Sequence, residues 1–399
     1  MNLYLHIPFC AAKCKYCGFY SVKPSGETLK EYPHLLVREA LLRKAETQTP
    51  PETVYFGGGT PGLLGAEGFE TVFNRLKNDA GIDLAQAAEI TVELNPASTT
   101  RDLLHALRRL NVTRLSFGVQ SFNDATLARI GRLHTADGAR EALSLAKAEG
   151  FADVGFDLIA CLPEVGDAEW TTTLEEAIRF APKHISVYGL IIEPDTPFAK
   201  AAEAGEITTD DEREMDLLRA TEMRLAAAGF ERYEISNYAL PGYACRHNLA
   251  VWRGEDYTGL GPAASTRFGL TRRKNASDLG AYRAALHANR MPPTEENEIL
   301  AAEDDATERF IYGLRLREGV SPSAFVHGHP AAAKLAAFWE QKLAALEKVG
   351  ITEKIGNGGW RLTARGFEVC DAVAEALSPP RTEPGLSGGD ATARAAPTL

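Results

Sequence analysis

Short apolar runs rich in β-forming residues alternate with segments of helical apolar spacing through roughly the first 240 residues, and this alternation limits the possible folds more than any other property of the chain. The runs are NLYLHIPF, TVYFGGG, EITVELNP, VTRLSFGVQ, VGFDLIACLP and HISVYGLIIEP, with RYEISNYA after them, and they read as buried parallel strands. Between them lie EYPHLLVREALLRKA, GFETVFNRLK, RDLLHALRRL, GAREALSLAKAEG, WTTTLEEAIRFA and EREMDLLRATEMRLAAAG, each with the spacing of an amphipathic helix. About six β/α units joined by right-handed crossovers predict an α/β fold, a partial (β/α)6 TIM-like barrel. In such barrels the chemistry gathers at the carboxyl ends of the strands, where this chain has its cysteines, GGGTPG, ELNP, GVQS and DLIACLPE.

The barrel is expected over residues 1–240, followed by a loop-rich connecting segment over 241–302 in which no helix or strand can be assigned. Residues 303–377 turn helical again and end in two short strands with a Gly/Asn turn and a helix, which predicts a small α+β, winged-helix-like C-terminal domain. The tail, 378–399, is rich in Pro, Gly, Ala and Thr and is expected to be disordered. With 54 acidic against 43 basic residues the net charge is −11, so no overall positive field draws nucleic acid, and no apolar run is long enough for membrane insertion. No basic and apolar leader precedes the first strand, which points to the cytoplasm.

Three of the six cysteines, Cys10, Cys14 and Cys17, fall in CAAKCKYC, a C-x3-C-x2-C spacing that puts three thiolates on one short loop. Thiolates suit zinc and iron–sulfur centres alike. A closed zinc site needs a fourth ligand, for which His6 is the nearby candidate; a four-iron cluster held by three ligands leaves one iron free to bind an exchangeable molecule. Cys161, Cys245 and Cys370 are scattered and read as small buried apolar residues.

CAAKCKYC after a first strand resembles the cluster motif of the radical S-adenosylmethionine (SAM) superfamily, and HIPFC with YFGGGTP is similar to its HemN/HemW branch, which contains oxygen-independent coproporphyrinogen III dehydrogenase and heme chaperones. The resemblance implies that Cys10, Cys14 and Cys17 hold a [4Fe-4S] cluster whose fourth iron binds SAM, with a small electron-donor protein as partner if SAM is cleaved. It carries SAM contacts onto Tyr4, Tyr16, Gly58, Gly59, Thr60, Glu93, Gln120, Arg132, Asp157 and Ile191. Read from the residues alone, GGGTP lacks the lysine of a phosphate-binding loop, and its bare backbone can approach a ligand closely. Glu93, at a strand end, can accept ribose hydroxyls.

Phe19 stands where the dehydrogenase carries a further cysteine, which points to the heme-chaperone side of the branch, with heme and heme-accepting proteins as partners and oxygen-independent coproporphyrinogen III oxidation as the alternative. CRHNLAVW resembles the chaperone H-N-x-x-Y-W segment, with Val251 in place of the aromatic. Imidazole and thiolate can ligate heme iron and aromatic rings can stack on a porphyrin, so His247, then Cys245, with Asn248 and Trp252, are the expected heme contacts. Arg246 and Arg253 beside them are candidates for pairing with propionates.

Overall fold

The computed structural model describes residues 1–325 and 330–379; the expected disordered tail lies, from residue 380 on, outside the described residues. Six parallel strands follow one another in sequence order across one sheet: β1 (Asn2–Ile7), β2 (Thr53–Gly58), β3 (Glu89–Leu94), β4 (Arg114–Gln120), β5 (Asp153–Ile159) and β6 (His184–Tyr188). The crossovers carry α1 (Gly26–Leu42), α2 (Gly65–Arg75), α3 (Arg101–Arg109), α4 (Asp124–Arg129), α5 (Ala136–Ala148) and α6 (Asp167–Arg179). After β6 come α7 (Pro197–Glu203) and α8 (Asp211–Ala227). Ser25, Thr100, Thr135 and Asp210 precede α1, α3, α5 and α8 and accept a hydrogen bond from a first-turn N–H, so polar residues at the boundaries start these helices.

Side chains alternate across each strand, and the alternation sorts the barrel into two environments. Leu3, Leu5, Val54, Phe56, Ile90, Val92, Leu115, Phe117, Phe156 and Ile185 belong to the apolar core under the helices. Phe56 meets Phe69 and Phe73 of α2 at ring distances of 5.2 and 5.9 Å. Burying such a ring contributes about 1.5–3 kcal/mol. The intervening residues, Tyr4, His6, Tyr55, Gly57, Glu93, Ser116 and Asp157, therefore share the inner face.

RYEISNYA does not form one parallel strand. It folds back as β7 (Glu231–Arg232) and β8 (Asn237–Ala239), with β8 antiparallel to β6, because Glu234 accepts hydrogen bonds from Ser236 N and Asn237 Nδ2 and closes the turn. The following segment is ordered where no element was expected: α9 (Arg246–Trp252), β9 (Tyr257–Leu260), β10 (Ser265–Phe268), β11 (Thr271–Asn275), α10 (Leu279–His287) and β12 (Thr294–Ile299). β9 pairs parallel with β1, and β10, β11 and β12 extend the sheet antiparallel to twelve strands. β11 and β12 have no apolar alternation because charge holds them: Arg272 meets Glu298, and Lys274 lies 3.2 Å from Glu295.

A second core lies in α11 (Ala302–Leu314), α12 (Pro330–Glu347), the antiparallel hairpin β13 (Thr352–Ile355) and β14 (Gly359–Leu362), α13 (Ala364–Glu368) and α14 (Cys370–Leu377). Its centre is Phe310 stacked on Trp339 at 4.2 Å, with Trp360 and Phe367 around them. No helix among the described residues is long and apolar enough to cross a membrane.

Candidate functional site

The cysteine loop leaves the carboxyl end of β1 and is pinned at its neck, where Cys10 N donates to Val22 O at 3.1 Å and Val22 N to Pro8 O at 2.8 Å. Its crest is held from two sides, by Lys15 N on Ile130 O and by Phe198 N on Lys15 O, both at 3.0 Å. Cys10, Cys14 and Cys17 are free and half-buried. Burial pushes the Cys17 thiol up to about 11, and Cys14 and Cys10 push it the same way, so the sulfurs share one neighbourhood. Among the described residues no three His, Cys, Asp or Glu side chains close on a single ion.

His6 is not free to be a fourth ligand. Its Nδ1 meets the Tyr4 hydroxyl at 3.2 Å and its Nε2 meets Tyr20 O at 3.3 Å, and burial depresses the imidazole to about 4. What surrounds the sulfurs instead are donors: Arg132 Nη1 lies 3.6 Å from Cys14 Sγ, and Thr60 Oγ1 lies 3.6 Å from Cys10 Sγ. Three thiols without a fourth, facing a cation and a hydroxyl, fit an anionic cluster with one unligated iron better than closed tetrahedral zinc.

The glycines after β2 are required by the chain itself. Gly58 has φ +103°, and a Cβ there would sit 2.5 Å from the His6 ring; a Cβ on Gly59 would sit 2.6 Å from Phe9 O. Gly59 N donates to Ile7 O and Thr60 N to Phe9 O, at 2.9 and 2.7 Å. GGGTP therefore binds β2 to the cysteine loop, and those two N–H groups are already engaged.

Glu93 lies on the inner face, accepting from the Tyr55 hydroxyl at 2.8 Å and from Gly58 N at 3.2 Å. Burial, with Asp157 adding to it, pushes its carboxyl up to about 7. Asp157 accepts from Ser116 Oγ at 3.3 Å, and burial raises its carboxyl too. Arg132 donates to Gly118 O at the irregular end of β4, where Gln120 sits at φ +69°. Tyr16 is held beside Cys14, its hydroxyl raised by burial. Tyr4, Tyr16, Thr60, Glu93, Gln120, Arg132 and Asp157 are thus gathered at the inner face and carboxyl end, around the cysteine loop. Ile191 is not: it is 68% exposed on the loop after β6. His134 was missed by sequence reading, although GRLHT carried it two residues from Arg132; its Nε2 meets Val119 O at 3.1 Å and helps fasten the end of β4.

The expected heme contacts enter from the amino ends of the strands, away from the cysteine loop, and the His247 ring reaches the inner face, 6.4 Å from the Tyr4 ring and 5.2 Å from the Tyr55 ring. His247 is 0% exposed, with Nδ1 2.8 Å from the hydroxyl of Thr53, the first residue of β2; burial lowers its imidazole to about 3. Glu89, the first residue of β3, accepts Arg246 N, His247 N and Cys245 Sγ at 3.0, 3.1 and 3.4 Å. Cys245 is also buried, its thiol raised by burial and by Glu89. Asn248 reaches the Tyr233 hydroxyl at 3.5 Å. Trp252 packs edge-on to Tyr312 at 6.0 Å with the Arg315 guanidinium 4.5 Å over its ring, joining α9 to α11. Arg253 is held by Glu318 at 2.9 Å, and Arg246 lies 3.8 Å from Glu52. α9 plugs the amino ends of the strands, so Cys245, His247 and Trp252 are buried, while Asn248 is half-buried and Arg246 and Arg253 are exposed. Cys161 and Cys370, expected buried, are half-buried.

Residues 4–177 match the radical SAM superfamily and residues 300–369 match the HemN C-terminal domain. The heme chaperone HemW of Mycobacterium tuberculosis is 34% identical over 381 residues, covering 94% of each chain. That of Synechocystis is 37% identical over 331 residues, covering 80% of this chain and 78% of its own. Among solved structures, coproporphyrinogen III oxidase (HemN) from Escherichia coli superposes with a TM-score of 0.80 at 23% identity, over 94% of this chain and 89% of that one, a likeness of fold.

Proposed function

This chain belongs to the radical SAM superfamily, in the family of the heme chaperones named HemW, and on that premise we propose that it binds heme and hands it to acceptor proteins in the cytoplasm. The observation that carries the reading is the whole-length likeness to a heme chaperone, 94% of both chains, in a protein whose loop offers three cysteines and then Phe19. Six free cysteines agree with a reducing compartment.

Cys10, Cys14 and Cys17 would hold the [4Fe-4S] cluster. When bound, a cluster with an open iron supplies a seat for the amino and carboxylate groups of SAM and an electron for its cleavage. The protein's own part is electrostatic: the guanidinium of Arg132 offsets sulfur charge at Cys14, and the hydroxyl of Thr60 supports Cys10. Glu93, oriented by Tyr55 and Gly58 N, has lone pairs left for ribose hydroxyls. Burial pushes that carboxyl up to about 7, so SAM affinity is expected to weaken as pH falls below that value.

The test is anaerobic reconstitution with iron and sulfide followed by titration with hemin, with and without SAM. Saturable heme binding and transfer to an apo-heme protein are expected; no heme binding overturns the reading. The fold shared with HemN keeps porphyrinogen oxidation as the alternative. Porphyrin product analysis with SAM and reductant separates the two, since formation of protoporphyrinogen would reverse the assignment.

A further inference from the structure

The geometry points to Thr53 and Asn2 as the residues that position His247 for ligating the iron of heme, by fixing its ring proton on Nδ1 and leaving Nε2 a bare lone pair. The inference rests on the heme-chaperone reading and adds to it two strand residues far from the RHNLAVW segment in sequence.

The chain of hydrogen bonds runs in one direction only. Asn2 Nδ2 faces two acceptors, Glu255 Oε2 at 3.2 Å and Asp256 O at 3.1 Å, so the Asn2 amide turns its Oδ1 toward Thr53. Thr53 Oγ1 lies 2.8 Å from that oxygen, which cannot donate, so the hydroxyl proton is spent on Asn2. A hydroxyl has no second proton to give. Toward His247 Nδ1, also at 2.8 Å, Thr53 therefore accepts, and Nδ1 carries the hydrogen. All three side chains are buried, and burial disfavours a second proton on the ring.

What remains is a ligand atom. Nε2 of His247 is buried and has no hydrogen-bond partner among the described residues. A buried acceptor without a donor costs stability, so each one calls for a reason. The lone pair of a neutral imidazole ligates heme iron, and the bond made by the other ring nitrogen decides which nitrogen is free to do so. Cys245, the other candidate, is not left free in this way: its Sγ donates to Glu89 Oε1 at 3.4 Å and so keeps its proton, whereas the ligand form is the thiolate. Since His247 is 0% exposed, heme reaches Nε2 only after neighbouring side chains give way, and a proton already placed on Nδ1 spares the ring a tautomer change at that step.

The experiment has a heme-free and a loaded arm, both on the full-length protein. With isotope-labelled histidine, long-range proton–nitrogen spectra of the heme-free protein, assigned by the signals that His247→Gln removes, are expected to show Nδ1 protonated and Nε2 bare. A proton on Nε2 overturns the proposal. In hemin titrations of the reconstituted protein, with iron, sulfide and circular dichroism recorded for each variant, Thr53→Val is expected to raise the heme dissociation constant about tenfold and to weaken the absorption bands of histidine-ligated iron. Thr53→Ser, which keeps the hydroxyl, is expected to restore both. A folded Thr53→Val protein with wild-type affinity and bands overturns the positioning role; if that variant does not fold, the tautomer in the wild-type spectrum still decides. A wild-type protein that binds no heme sinks the chaperone reading whatever its tautomer, so the two failures are distinguishable.

Discussion

The Nδ1 of His247 and the hydroxyl of Thr53 are 2.8 Å apart, and this bond fastens α9 to the start of β2 across 194 residues of chain. Both groups are buried, so neither has water to replace the other. Thr53→Val should therefore destabilise the protein by about 1–3 kcal/mol, the range for leaving a buried partner unsatisfied. Urea denaturation with an unchanged m-value and a lowered midpoint would report it; an unchanged midpoint would show that α9 is held by other contacts.

The same burial makes α9 an acid-sensitive element. His247 is depressed to about 3 and His184 is also lowered, both by burial, whereas an unfolded histidine takes up its proton near 6.5. Below 6.5 the unfolded chain thus binds more protons than the native one, and this contribution, complete above 6.5, is lost as pH falls toward 3. His247→Gln should flatten the slope of unfolding free energy against pH between 4 and 6 by about 1.4 kcal/mol per pH unit, one proton's worth. An unaltered slope would show that His247 takes up its proton without unfolding.

Glu39 on α1 is fully buried, and its carboxylate accepts Arg43 Nε, Gly261 N and the Tyr282 hydroxyl, each at 2.7 Å, and Asn275 Nδ2 at 2.8 Å. It locks the turn after β9 to the helix layer beside the cysteine loop. Glu39→Ala takes the close carboxylate from the buried Arg43, leaving it Glu46 at 3.8 Å, at a cost of up to about 3–5 kcal/mol. Loss of soluble expression or a large fall in melting temperature is expected, and Glu39→Gln should recover part of it.

Gly58 needs both its positive φ and its missing side chain. Gly58→Ala should push His6 aside, loosen the β1–β2 exit that carries the cysteine loop, and lower iron per chain after reconstitution. Its strain exceeds about 1 kcal/mol. Gly26→Ala, in open space at the start of α1, should leave iron loading unchanged. Equal iron content in both variants would refute the role given to Gly58.

Much of the barrel was readable because its strands are buried on both faces. Leu3, Leu5 and Ile7 pack under helices while Tyr4 and His6 face inward, so β1 reads as one continuous apolar run. β11 and β12 gave no such signal, since Arg272, Lys274, Glu295 and Glu298 stabilise them by cross-strand charge that looks like any solvated loop in one dimension. The RHNLAVW segment carried the residue types of a heme contact, and local chemistry could not reveal that Thr53 and Glu89 enclose it.

By itself the sequence determined the β/α alternation, the three-cysteine loop and its place after β1, because these depend on periodicity and on spacings of a few residues. Only the tertiary structure decided which histidines are unavailable. His6 is committed through both ring nitrogens, to Tyr4 and Tyr20, whereas His247 is committed to Thr53 through Nδ1 and keeps a buried Nε2 without a partner among the described residues. Availability is a matter of burial and of bonds between distant strands, and a buried ring with both nitrogens already engaged has the same letter in the sequence as one poised to bind iron.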